Sequence, residues 1–158
     1  MCGIVGAVSN KNIVGVLVQG LSRLEYRGYD SCGLAVVNDA QVLQRSRTTQ
    51  RVNDLEQNTK LLEGTRCIAH TRWATHGEPN NANAHPHLSQ SKNLAVIHNG
   101  IIENYATIKA ELQQRGHIFE SDTDTEVLIH LIEDIQMNEN ISIDESVRLA
   151  LNQVIGAY

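Results

Sequence analysis

Met1-Cys2-Gly3-Ile4-Val5-Gly6-Ala7-Val8-Ser9 opens the chain, and its reading decides the rest. Ile4, Val5 and Val8 among small residues predict a buried strand over residues 3–9. A cysteine stands directly before that strand. Methionine aminopeptidases remove Met before a small residue, and removal leaves a free α-amine and a thiol on one residue. An α-amine has a reference pKa of about 8 and a thiol about 8.5, so the amine can take the thiol proton as an internal base. With Met1 attached, the nitrogen is an amide and that base is lost. A small residue entering a strand would look the same, so a nucleophilic Cys2 needs support elsewhere in the chain.

Outward from this strand, Ser9 or Asn10 is expected to cap a helix carrying Ile13, Val16, Leu17, Leu21 and Leu24 and ending at the Arg27-Gly28 step. A strand over 32–38, a hairpin turn at Asn38-Asp39 and a strand over 41–45 follow. A short helix over 53–62 closes at Gly64. Buried strands are expected over 66–70 and 94–98, separated by a long polar loop, 71–93, that holds both prolines. Three helices follow, over 104–114, 123–136 and 143–154, the first stopped by Gly116. Residues 154–158 read as the opening of a strand, as in a chain cut short at its C-terminal side. Strands and helices interspersed with hairpin signals point to a layered α+β fold.

The 158 residues suit one domain, and 41% hydrophobic with 20% charged residues is ordinary for a globular protein. A net charge of -5 without a basic run disfavours nucleic acid and anionic membranes as partners. No apolar run approaches the ~18 residues that span a bilayer, and residues 3–8 lack the basic flank of a signal peptide. Three unclustered cysteines, Cys2, Cys32 and Cys67, form neither a disulfide framework nor a zinc motif. A cytoplasmic location is therefore expected.

Four polar strings carry the remaining signal. Glu25-Tyr26-Arg27-Gly28-Tyr29-Asp30-Ser31 ends the first helix, where a cation and a glycine are also ordinary helix-stop residues. His70-Thr71-Arg72-Trp73-Ala74-Thr75-His76-Gly77 leaves a strand and opens the long loop, and Arg72 could grip a carboxylate there. His98-Asn99-Gly100 ends a strand; Asn-Gly is a strong turn signal, but an Asn amide beside a backbone N–H is also a ready oxyanion hole. Ser121-Asp122-Thr123-Asp124-Thr125-Glu126 opens a helix, whose start favours an Asp or Thr cap, and an acid there could also bind an ammonium group. His70, His76, His85, His87 and His98 are too irregularly spaced for a metal set, and no metal or cofactor is assigned.

In this order, the motifs resemble the class II glutamine amidotransferases, the N-terminal nucleophile family, and the resemblance covers essentially the whole chain. It implies a four-layer αββα sandwich, longer than 158 residues when complete. It implies L-glutamine as substrate, Cys2 as nucleophile, and Asn99 with the N–H of Gly100 as oxyanion hole. Arg72 would hold the α-carboxylate, with Thr75 and His76 beside it, and Asp124 the α-amine. Trp73 would close over the site, while Arg27 lies near the nucleophile and His85 in the same pocket. The Leu24–Ser31 and His70–Gly77 strings look like the branch that passes ammonia to fructose 6-phosphate, which a sugar-isomerase part, absent here, would bind in a homodimer. They fit less well the branches that feed ammonia to phosphoribosyl pyrophosphate or to glutamate synthesis. A non-catalytic glutamine-binding module is the alternative of another class.

Overall fold

The computed structural model describes residues 2–28, 30–73 and 78–158. It divides into two compact units, Met1–Pro86 and His87–Tyr158. In the first, β1 (Gly3–Val8), α1 (Val14–Leu24), a 3-10 turn (Glu25–Arg27), β2 (Ser31–Val37), β3 (Leu43–Thr48), α2 (Val52–Asn58) and β4 (Arg66–Arg72) follow in chain order. The strands form one antiparallel sheet in the order β1-β4-β2-β3.

Side-chain alternation gives this sheet two faces. Val5 and Ala7 of β1, Leu34 and Val36 of β2, and Cys67 and Ala69 of β4 pack with Leu17 and Leu21 of α1 and Leu55 of α2. Burying each such leucine contributes about 1.5–3 kcal/mol. On the other face Ile4, His70, Gly33 and Arg47 lie in one cross-strand row. There Arg47 donates to the carbonyls of Ala82 and Ala84 at 3.1 and 2.9 Å, and Arg45 to that of Pro86 at 3.4 Å. The two arginines tie residues 82–86 down across the sheet. Covered on both faces, β2 is buried along nearly its whole length.

Four local expectations change. The strand over 3–9 is an edge strand, not a buried one: Ile4 and Val8 are exposed, and only Gly3 is buried. The first helix is capped by neither Ser9 nor Asn10. The N–H of Ser9 still bonds Thr65 at 2.8 Å, so the chain leaves the sheet one residue past β1. The helix starts only at Val14, whose N–H is met by Asn12 Oδ1 at 3.2 Å. The hairpin is wider than a two-residue turn. The N–H of Gln41, at φ 60°, donates to the Asn38 carbonyl at 3.0 Å, and that of Asn38 to the Val42 carbonyl at 3.1 Å. The partner strand is thereby displaced from 41–45 to Leu43–Thr48.

The second unit contains β5 (His87–Leu88), β6 (Ala95–Val96), β7 (Ile101–Ile102), α3 (Tyr105–Gln114), α4 (Asp124–Glu139), α5 (Ile143–Leu151) and β8 (Gly156–Ala157). Its core is Ile108 and Leu112 of α3, the apolar residues of α4 from Val127 to Ile135, and Ala150 of α5. The expected buried strand over 94–98 is the fourth correction. Only Ala95 and Val96 pair, with Leu88 and His87, and residues 94–98 are half-buried. Leu94 and Val96 alone reach the helical core. Residues 154–158 do start a strand, with Ile101 and Ile102 opposite Ala157 and Gly156. No helix among the described residues is long and apolar enough to cross a membrane.

Candidate active site

Antiparallel pairing of β1 with β4 runs from Val8 opposite Arg66 to Gly3 opposite Thr71. That register carries Cys2, one residue further out, to the end of β4. There the Trp73 N–H donates to Cys2 Sγ at 3.2 Å, and the sulfur lies 3.8 Å from the Trp73 carbonyl oxygen. Arg72 is buried at 6% exposure. Its Nη1 donates to the Glu78 carbonyl at 3.4 Å, and its own carbonyl accepts from Asp30 at 3.1 Å. Its cross-strand partner is Ser31, the first residue of β2. Trp73 is 44% exposed, so it is not a core tryptophan.

Arg27 is the half-buried last residue of the 3-10 turn. In the same string, Glu25 accepts the N–H of Val52 at 2.8 Å and so serves the start of α2. His85 is buried, and its ring stacks on that of His70 with centroids 4.3 Å apart. The first unit thus assembles Cys2, Arg72 and Trp73 at one strand end and fixes His85 against the neighbouring row. Thr75 and His76 lie outside the described residues.

The second unit holds the other three. Asn99 and Gly100 are exposed immediately before β7. A Cβ on Gly100 would sit 2.0 Å from the Ala157 carbonyl oxygen and 2.5 Å from His98 Nε2, so only glycine fits. His98 itself is held by Thr125 Oγ1 at 3.2 Å and the Ala157 carbonyl at 3.3 Å. Asp124 is the first residue of α4, and its Oδ2 accepts the Ile102 N–H at 2.7 Å. The cap of that helix is Thr123, which accepts the Glu126 N–H at 3.3 Å. Asp124 is therefore spared the capping role and ties the helix start to β7.

The other two cysteines differ sharply from Cys2. Burial pushes the Cys67 thiol up to about 12, and burial with the nearby charges of Glu25 and Asp54 does the same to Cys32. Both stay protonated at neutral pH and line the core. Among the described residues no three His, Cys, Asp or Glu side chains converge as a metal site would require. A polar cleft of about 410 Å3 is lined by Asn10, Asn12, Asn38, Asp39 and Glu63 among others. It lies at the Val8 end of the sheet, remote from Cys2, and touches none of the residues above. Sequence reasoning passed over Arg45, Arg47 and Thr71. The two arginines sit in a strand with no motif, and Thr71 reads as a spacer inside one.

The architecture is that of the N-terminal nucleophile amidotransferases. It matches glutamine phosphoribosylpyrophosphate amidotransferase from B. subtilis, complexed with ADP and GMP, at TM-score 0.83 and 27% identity, over 100% of this chain and 34% of that one. A structure described as the allosteric regulatory enzyme of purine biosynthesis matches at TM-score 0.84 and 28% identity, with the same coverage. The chain belongs to the glutamine amidotransferase domain family, whose profile matches residues 38–141. Among curated proteins it is 54% identical over 160 residues to a glutamine–fructose-6-phosphate aminotransferase (isomerizing) of Bacteroides thetaiotaomicron. It is 53% identical over 161 residues to the protein of that name from Haemophilus ducreyi. All of this chain is covered in both cases, but only 26% of each relative.

Proposed function

We propose that this chain hydrolyses L-glutamine to glutamate and ammonia, with Cys2 as nucleophile once Met1 has been removed. One observation carries the reading: Cys2 Sγ accepts a backbone hydrogen bond at a strand end beside the buried Arg72, whereas Cys32 and Cys67 are core thiols. The α-amine takes the thiol proton, and the thiolate attacks the side-chain amide carbon of glutamine. The carbonyl oxygen becomes an oxyanion that accepts hydrogen bonds from the Asn99 side-chain amide and the Gly100 N–H. The ammonium of Cys2 returns its proton to the amide nitrogen, the C–N bond breaks, and ammonia leaves. Water, deprotonated by the amine, then attacks the thioester. The C–S bond breaks, glutamate departs and the thiol is restored. One oxyanion donor contributes about 3–4 kcal/mol to this kind of step.

Arg72 holds the α-carboxylate of glutamine and Asp124 its α-amine, with Thr75, His76, Arg27 and His85 around them. Trp73, half-exposed at the strand end, closes over the bound substrate. Residues 1–158 belong together to one type 2 amidotransferase domain of a longer protein. The curated relatives are named as isomerizing aminotransferases acting on glutamine and fructose 6-phosphate; on this reading the longer protein passes the ammonia to fructose 6-phosphate and makes glucosamine 6-phosphate. The sugar chemistry belongs to the part of those relatives that this chain does not match. The whole protein is read as a cytoplasmic homodimer. Mass spectrometry of the intact N-terminus together with a glutaminase assay tests the reading. Protein with Cys2 at its N-terminus should turn over glutamine, and protein retaining Met1 should not. Glutamine binding without turnover by the processed form would make this a binding module instead.

A further inference from the structure

Cys2 is attached to β1 through the peptide that it forms with Gly3. The N–H of that peptide donates to a side chain, Thr71 Oγ1, at 3.0 Å. Thr71 is fully buried and is the cross-strand partner of Gly3, 68 residues away in sequence. Two residues further along the same strand end, the Trp73 N–H holds Cys2 Sγ at 3.2 Å. The cysteine is therefore gripped twice from one short segment, by its backbone at Thr71 and by its sulfur at Trp73. The fit at Thr71 is tight, since a Cβ on Gly3 would lie 2.8 Å from Thr71 Oγ1 and 2.8 Å from Leu24 Cβ.

Once Met1 is removed, as the proposed function requires, Cys2 has no residue before it to restrain it. Without the Thr71 bond, rotation about the Cys2–Gly3 linkage would swing the sulfur away from the Trp73 N–H. We propose that Thr71 is a positioning residue for the nucleophile, its hydroxyl pinning the Cys2–Gly3 peptide so that Sγ stays on the Trp73 N–H. This rests on the glutaminase reading above for its kinetic consequence, but not for its effect on the thiol.

The test compares Thr71→Val, which keeps the shape and removes the acceptor, with Thr71→Ser, which keeps the acceptor, both with Cys2 N-terminal. Three quantities are read: kcat for glutamine, KM for glutamine, and the alkylation rate of Cys2 by iodoacetamide. A nucleophile misplaced by about 1 Å costs on the order of 100-fold in rate. Thr71→Val should therefore lower kcat by roughly 10- to 100-fold while leaving KM little changed. It should also slow alkylation of Cys2, whose sulfur is no longer held at the Trp73 N–H. Thr71→Ser should restore both kcat and the alkylation rate. Parent-like alkylation in Thr71→Val, or a serine variant no better than the valine one, overturns the proposal. If the valine protein does not fold, hydrogen exchange of the Gly3 amide in the unmutated protein decides. A protected amide supports the pin, and exchange at the rate of an unstructured peptide overturns it. Absence of glutaminase activity in the parent would sink the proposed function alone, because alkylation and exchange still report on the pin.

Discussion

The two units solve different problems. The first is a sheet whose decisive contacts join residues far apart in sequence: Cys2 meets Trp73 across 71 residues, and Gly3 meets Thr71 across 68. The second is built on α4, and its distinctive contacts are short in sequence and heavily polar. Glu126 accepts the N–H groups of Glu120 and Ser121 at 2.8 and 2.7 Å and the Ser121 hydroxyl at 2.6 Å. His130 contacts His117, ring nitrogen to ring nitrogen, at 3.1 Å and stacks on Phe119. His117 in turn contacts Asp134 at 3.3 Å, and Asp134 also pairs with Arg115 at 2.5 Å. The Cys2 thiol is thus placed by strand register, while the helical unit is held by buried charge. Changes in the first unit should fall on catalysis, and changes in the second on stability and its pH dependence.

The largest expected effect is at the thiols. Cys2→Ala should reduce glutamine turnover by roughly 10⁴-fold or more while unfolding like the parent. Cys32→Ala and Cys67→Ala should leave turnover nearly intact and cost roughly 1 kcal/mol of stability, as small losses from a packed core do. Steady-state assays and thermal melts on the three variants check this. Labelling of Cys32 or Cys67 by a glutamine-like electrophile would break the division between reactive and structural sulfur.

Arg72→Ala comes next. Loss of a buried charge-assisted contact to the α-carboxylate should weaken glutamine binding by roughly 2–5 kcal/mol, seen mainly in KM. A glutamine analogue lacking the α-carboxylate should lose affinity for the parent but little more for the variant. Equal discrimination by both proteins would assign Arg72 to the strand end alone, where it already bonds Glu78.

In the second unit, Glu126→Ala leaves two buried or half-buried N–H groups without their acceptor. Its cost should be about 2–4 kcal/mol in urea unfolding. Hydrogen exchange resolved by residue sharpens the comparison, because the loss of protection should centre on residues 120–126. Loss spread evenly over β1 and β4 would mean that the two units do not respond separately.

The smallest effect is with pH. Burial holds the His130 imidazole below its ordinary value of 6.5; Glu126, Glu133 and Glu120 oppose that shift, and His117 adds to it. The unfolded chain therefore binds the proton first as pH falls. This contribution to stability is full above about 6.5 and is lost progressively as pH drops below it toward the folded value. Glu133 acts lower on the scale. Burial raises its carboxyl, but hydrogen bonds from Ser89, Ser91 and the Gln90 backbone outweigh that and hold it below 4.5. Its contribution is present above 4.5 and lost as pH falls through the depressed value. Unfolding followed from pH 7.5 to 5 should show a slope that His130→Gln reduces. An unchanged slope would remove His130 as its source.

The sequence by itself determined the α+β class and the family. The strand before residue 9, the three late helices and the Gly116 stop are written in local periodicity and turn chemistry, which depend on neighbours in the chain. The strings around Arg27, Arg72, Asn99 and Asp124 were legible because several polar residues at strand and helix ends are hard to explain as packing. Only the tertiary structure decided that Cys32 and Cys67 are core thiols, that Arg45 and Arg47 tie down residues 82–86, and that Thr71 grips the Gly3 amide. It also decided that residues 94–98 pair over only two positions. These outcomes depend on which strands become neighbours and in what register. A shift of one residue in the β1–β4 pairing would turn Cys2 to the opposite face without altering any local pattern.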